Sequence, residues 1–376
     1  MSLTDPQEIQ QAIYHNSSNP YGPARSARAE ELCAAAERSG DAGLLRQALS
    51  ALVDAYTWSS ERTKALVPFA RLLQEYDRDP GAFDRWGTHS LFWSFKWVTG
   101  DIIDVPEVSI PDVEHWFADM ERRYRLAGHS ERAVRQCEFY LAESTGDLER
   151  ADRAVAAWTA AERDAMSNCH ACELGTQGRY WAARGEDEKA LEVWRPVTDG
   201  GKSCKEEPHR VLAHTLLPLL RLGRFREART HHLKGYHLVR GDDSLLRSVG
   251  QHIEFCALTG NEARGLEILA EHAAQLGPLA DVDAQLSLNG GVLVLLRRLK
   301  ELGHGDLETV RYAGAPRTAA ELYELLYAQA REIAGRFDLR NGNAHISGRF
   351  EERIAREPLV DTLPLGVRGL RLRAGS

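Results

Sequence analysis

Cys169 and Cys172 are two residues apart, Cys204 follows after 31 more, and His209 lies just beyond. Three thiolates and one imidazole form a closed tetrahedral set for zinc. The cysteine pair precedes the first helix of one expected helix hairpin. Cys204 and His209 precede the first helix of the next, across the Asp199-Gly200-Gly201 loop. If equivalent turns of neighbouring hairpins lie side by side, the two half-sites meet. Helix N-termini would also favour the thiolates through the dipole. The expectation is a structural zinc ion on Cys169, Cys172, Cys204 and His209, with His170, inside the motif, able to replace His209. Buried free thiols are the competing reading. A redox Cys-x-x-Cys is disfavoured because the βαβ context of thioredoxin-like proteins is missing. Cys33, Cys137 and Cys256 lie in apolar helical stretches and read as core.

Other residue groups carry weaker signals. His231, His232 and His237 share one expected helix, but no His-Glu-x-x-His pattern accompanies them, so a zincin is not supported and a solvated or partly buried set is expected. Trp86, His89, Trp93, Lys96 and Trp97 crowd one helix, and the last four share a face. That stripe reads either as core between hairpins or as a recognition patch, since Trp is enriched at hot spots. Phe337 to Asn343 reads as a helix C-terminus closed by an Asn-Gly turn, with a binding corner around Arg340 as the alternative. No Walker loop, Gly-x-Ser-x-Gly or dinucleotide fingerprint occurs in the chain.

The elements that must position these residues are almost all helical. Helical periodicity runs nearly end to end and is broken by a recurring turn: helix, Gly, helix. Gly146, Gly185, Gly223 and Gly260 mark it, spaced 39, 38 and 37 residues apart. A fixed period of this size signals stacked supersecondary units. Gly suits the turn because a helix ending in the left-handed conformation needs a residue without a Cβ. Five residues after each Gly stands a small residue, Ala151, Ala190, Ala228 and Gly265, which lets the paired helices approach. Large residues precede the turns: Tyr180 and Trp181, Leu216, Leu217 and Leu220, Phe255 and Leu258.

This pattern resembles the tetratricopeptide repeat, whose second helix opens with Gly-x-x-x-x-Ala. The resemblance implies an all-α, right-handed solenoid of antiparallel helix hairpins. The wider sequence is also similar to an uncharacterised family of actinobacterial repeat proteins. The similarity rests on Thr88 to Trp97, Asp119 to Tyr124, Cys169 to Glu173, Glu207-Pro208-His209 and Phe337 to Asn343. It supports the fold and brings no activity.

The chain is expected to divide into N-terminal helical repeats over 1–127, the clear repeats with the Cys/His cluster over 128–277, C-terminal helices over 278–340, and a short helix and tail over 341–376. The N-terminal part predicts helices over 24–39, 41–59, 61–76, 81–98 and 112–126. The C-terminal part predicts 281–302, a loop to Pro316, then 318–337, and a short helix over 351–356 before a frayed tail from Leu365. Any strand is expected to be a minor hairpin near Asn341.

Hydrophobic residues make up 43% and charged residues 27% of the chain, a soluble globular balance. The net charge of -8 argues against a general nucleic-acid binder. No run of about 18 apolar residues predicts a membrane span. Met1 to Tyr21 lacks an apolar signal core, so a cytoplasmic location is expected. The function expected first is a protein- or peptide-binding scaffold or adaptor, because a curved helical stack presents an extended surface. Trp93, Lys96, Trp97, Arg122, Arg123, Arg179 and Arg340 are the candidate partner contacts, with Lys96, Arg122, Arg123 and Arg179 among them for an acidic ligand. Two alternatives stand beside it. One is a peptide-responsive regulator acting through protein contacts, since the first 60 residues lack a basic recognition helix. The other is a zinc enzyme with Glu173, Glu206 or Glu207 as general base, which would need an open coordination position.

Overall fold

The computed structural model describes residues 4–366; the tail beyond Gly366 lies outside the described residues. The chain is helical, and its one sheet among the described residues has two strands. It forms two compact units that divide between Ser167 and Asn168. That boundary falls inside the 128–277 block rather than at either of its ends.

The first unit contains α1 (Pro6–Ser17), α2 (Pro23–Ser39), α3 (Ala42–Thr57), α4 (Leu66–Arg78), α5 (Arg85–Asp101), α6 (Ile110–Leu126), α7 (Arg132–Thr145) and α8 (Leu148–Ala160). The second contains α9 (His170–Ala183), α10 (Asp187–Thr198), α11 (His209–His214), α12 (Leu216–Arg221), α13 (Phe225–Val239), α14 (Leu246–Leu258), α15 (Glu262–Glu271), α16 (Val282–Glu301), β1 (Glu308–Tyr312), β2 (Ala315–Thr318), α17 (Ala319–Asn341) and α18 (His345–Ile354). The expected helices appear with shifted ends. The segment 61–76 opens as a short 3-10 turn over Arg62–Ala65 before α4, because Pro68 and the Ser59-Ser60 turn delay the α-helix. α1 has no counterpart among the expected helices, although Asp5 caps it and Pro6 opens it, a standard start signal.

The punctuation glycines adopt the backbone conformation expected where a helix ends. Gly146, Gly185, Gly223 and Gly260 all have φ between 64° and 76°, the left-handed region. The small residues five positions on are buried: Ala151, Ala190 and Ala228 are at most 1% exposed. A Cβ at Gly265 would stand 2.9 Å from Leu295 Cδ1 and 3.3 Å from Cys256 Cβ. α7 packs on α8, α9 on α10, α11 and α12 on α13, and α14 on α15.

The hairpin falls at β1–β2 and not near Asn341. Ala313 and Gly314 both have positive φ, 50° and 82°, as a two-residue type I′ turn demands. Thr318 ends β2 and caps α17 through a capping box with Glu321. Asn341-Gly342 closes α17, with Gly342 at φ 69°. α14 and α16 form the centre of the second unit. A Cβ at Gly291 would sit 2.0 Å from the Gly250 carbonyl oxygen, so the backbones cross in direct contact and leave no space for a side chain there.

Candidate metal centre

Cys169 is the N-cap of α9, in extended conformation at φ -58° and ψ 149°, and its sulfur accepts the Cys172 backbone N–H at 3.3 Å. A sulfur here replaces the usual Ser, Thr or Asp oxygen at a helix start. Cys172 lies one turn in and is buried. α9 is held against α10 by Trp194, which is fully buried and donates its indole N–H to the Gly175 carbonyl at 3.0 Å. Gly178 makes that approach feasible, since a Cβ there would lie 2.2 Å from Trp194 Nε1.

Cys204 reaches the same place from the loop between α10 and α11. The loop is folded back by Lys202 N–H on the Pro196 carbonyl at 2.8 Å and by Cys204 N–H on the Glu207 carbonyl at 3.0 Å. The three sulfurs lie within 4.8 Å of one another, and those of Cys172 and Cys204 are 3.4 Å apart. A tetrahedral zinc–thiolate centre with Zn–S near 2.3 Å has sulfurs roughly 3.8 Å apart. The cluster therefore fits a thiophilic metal ion by donor type and by spacing.

His209 is not part of the cluster, which consists of Cys169, Cys172 and Cys204. The reason lies in helix geometry. His209 and Arg210 open α11, and successive helix residues point about 100° apart. Arg210 takes the sulfur side: its Nη2 donates to Cys172 Sγ at 3.2 Å. His209 turns elsewhere, and its Nδ1 is enclosed without a hydrogen-bond partner. His170 is exposed and also stands outside the cluster.

The electrostatics concentrate negative charge on one sulfur. Hydrogen bonds from Cys172 and Cys204, aided by the backbone N–H groups of Cys172 and Ala171, hold the Cys169 thiol well below its usual range. Cys172 moves far up, because hydrogen bonding to the two neighbouring sulfurs and burial favour its protonated form. Behind the sulfurs stands Glu207, 1% exposed, which accepts Arg210 Nε at 3.1 Å and Val211 N–H at 2.9 Å. Burial pushes its carboxyl up, against the pull of Arg210. Arg210 thus links a carboxylate to a sulfur, an outer-shell arrangement of the kind that orients metal ligands.

The remaining candidates divide by environment. In the first unit Lys96 is 4% exposed, donates to the Met166 carbonyl at 2.7 Å, and lies 3.1 Å from the Trp93 ring centroid. Trp97 is half-buried and packs on Trp58 at 5.9 Å. Trp93, Lys96 and Trp97 are thus largely internal, whereas His89, on the same face, and Trp86, 79% exposed, point outward. Arg123 grips Asp77 with two hydrogen bonds, 2.6 and 2.8 Å, and Asp119 with a third at 2.7 Å. Arg122 is exposed and pairs with Asp119. In the second unit Arg179 is half-buried on α9, and Arg340 donates to Asn341 Oδ1 at 2.9 Å.

Sequence reasoning missed a buried histidine pair. His232 and His252 are 1% and 0% exposed, with their Nδ1 atoms 3.1 Å apart. His231 is half-buried against Thr215 and His237 is exposed, so only the middle member of the triplet is core. His232 alone falls on the inward stripe with Ala228 and Tyr236, at helical spacing that could have revealed it. Its partner His252 is isolated in sequence and gave no signal.

No protein-family model matches the chain, and no curated protein matches it. The described residues define a helical protein with a three-cysteine cluster able to hold a metal ion. No helix among them is long and apolar enough to cross a membrane.

Proposed function

We propose that the chain is a zinc-stabilised, tetratricopeptide-like module that binds a protein or peptide and serves as scaffold or adaptor. The observation that carries this reading is the convergence of Cys169 and Cys172, at the start of α9, with Cys204, in the loop before α11. Zinc suits a cluster of thiolate ligands and does not itself change oxidation state. It ties the start of α9 to the loop before α11, joining two neighbouring helix pairs at their shared end. With His209 as fourth ligand the set would be the closed tetrahedral one of a structural zinc site. The left-handed Gly turns and the small residues after them support a right-handed stack of hairpins, the architecture that presents an extended binding face.

Elemental analysis of the reduced protein tests the metal: one zinc per chain is expected, falling strongly in Cys172→Ser. No metal, with every thiol titratable after unfolding, would refute the centre. Affinity capture with wild-type and chelator-treated protein tests the module. A partner held by the metal-loaded form and lost by the stripped form supports it, and equal capture by both removes zinc from the binding function.

A further inference from the structure

The cysteine pair that the sequence makes obvious is Cys169 and Cys172, yet the close contact between sulfurs is elsewhere. Cys172 Sγ and Cys204 Sγ are 3.4 Å apart. A disulfide needs about 2.05 Å, so the pair is short of a bond by a side-chain rotation and a small loop shift. Cys169 is differently engaged, as the cap that accepts the Cys172 backbone N–H. Pulling its sulfur into a bond with Cys172 would forfeit that cap. Cys204 belongs to a loop whose neighbours Ser203 and Lys205 are exposed, whereas Cys172 is 7% exposed inside α9. A soluble oxidant therefore meets Cys204 before Cys172, whose sulfur lies directly behind it.

We propose that Cys172 and Cys204 form a reversible disulfide under hydrogen peroxide, which makes the centre a thiol switch. The Cys204 sulfur attacks one peroxide oxygen, the O–O bond breaks, and the departing hydroxide takes up the Cys204 thiol proton and leaves as water. The product is a sulfenic acid at Cys204. The Cys172 sulfur then attacks the Cys204 sulfur, the S–S bond forms, and hydroxide leaves with the Cys172 proton as a second water. Two thiols and one peroxide give one disulfide and two waters. Arg210 Nη2, 3.2 Å from Cys172 Sγ, stabilises the negative charge that develops there as its proton departs. The disulfide does not require a metal. The consequence for the metal rests on the zinc reading: oxidation withdraws two of the three sulfurs, and the ion is released.

The test treats the full-length, zinc-incubated protein with one equivalent of hydrogen peroxide. Peptide mapping under non-reducing conditions follows, with released zinc read by a chromogenic chelator. The expected result is a linked pair of peptides carrying Cys172 and Cys204, loss of two titratable thiols, and reversal by dithiothreitol. The link should persist in Cys169→Ser and vanish in Cys204→Ser, a loop substitution whose helical dichroism should match wild type. A Cys169–Cys172 link, or sulfinic acid at Cys204 with no linked peptide, would overturn the switch. A Cys172–Cys204 link in protein that never held zinc leaves the switch standing and overturns the zinc reading alone. Cys33, Cys137 and Cys256 are buried and serve as internal controls that stay reduced.

Discussion

Arg210 Nη2 donates to Cys172 Sγ at 3.2 Å while Nε of the same guanidinium binds Glu207 at 3.1 Å. The planar fork presents both donors in one fixed geometry, which a lysine ammonium does not reproduce. Arg210→Lys should therefore weaken metal binding about as much as Arg210→Ala, by roughly 10- to 100-fold, the usual cost of an outer-shell partner. Competition against a zinc chelator of known affinity measures it. Affinity unchanged in both variants would show that the guanidinium does not tune the centre.

The buried histidine pair sets an acid limit on stability. Burial holds His232 down to about 3, and His252 well below its usual range, with the neighbouring imidazole adding to the effect. Arg264, over the Tyr236 ring, also disfavours the His232 cation. Both rings are neutral in the folded chain and ordinary in the unfolded one. The unfolded state therefore binds more protons between about pH 6.5 and pH 3, and stability falls as pH drops through that window. His252→Phe should flatten the slope of denaturant midpoint against pH between 6.5 and 4. An identical slope in the variant would place the acid sensitivity elsewhere.

Glu254 is 5% exposed and receives Arg353 Nε at 2.8 Å and Arg356 Nη1 at 2.5 Å, which ties α18 and the segment just beyond it to α14. The two guanidinium groups outweigh burial and hold the carboxyl below its usual range. Its contribution is complete above about pH 4.5 and is lost as pH falls further. Glu254→Leu leaves two cations facing an apolar gap and should cost about 3–5 kcal/mol. Adding Arg353→Met should recover part of that loss. Urea titration of wild type, Glu254→Leu, Arg353→Met and the double variant reads the coupling, and strictly additive effects would argue against a shared ion network.

Gly178→Ala tests how closely α9 and α10 approach. A Cβ would stand 2.2 Å from Trp194 Nε1, so the indole must leave its hydrogen bond to Gly175 or the helices must part. Overpacking of this kind costs about 1–3 kcal/mol. Gly335→Ala, at a helical glycine where a Cβ meets nothing within 4 Å, is the matched control and should be neutral or stabilising. Similar melting temperatures for the two variants would contradict the packing.

Local chemistry determined much of this protein from sequence alone. The helices, the left-handed turns at Gly146, Gly185, Gly223 and Gly260, and the buried small residues after them all follow from periodicity and backbone sterics, which act within a few residues. The same holds for the burial of Cys33, Cys137 and Cys256, which lie on apolar helix faces. Cys169, Cys172 and Cys204 were legible as candidates because soft ligands beside helix starts are rare without purpose.

Tertiary structure decided the rest. Whether His209 or Arg210 faces the sulfurs depends on the rotational phase with which α11 begins, and no local signal sets that phase. The pairing of His232 with His252, of Glu254 with Arg353, and of Cys172 with Cys204 joins residues far apart in the chain. Each pair exists because helix packing brings the side chains together. The division after Ser167 is likewise a property of which helices bury one another. It crosses the repeat block because the Gly period records how each hairpin turns and carries nothing about where one core ends and the next begins.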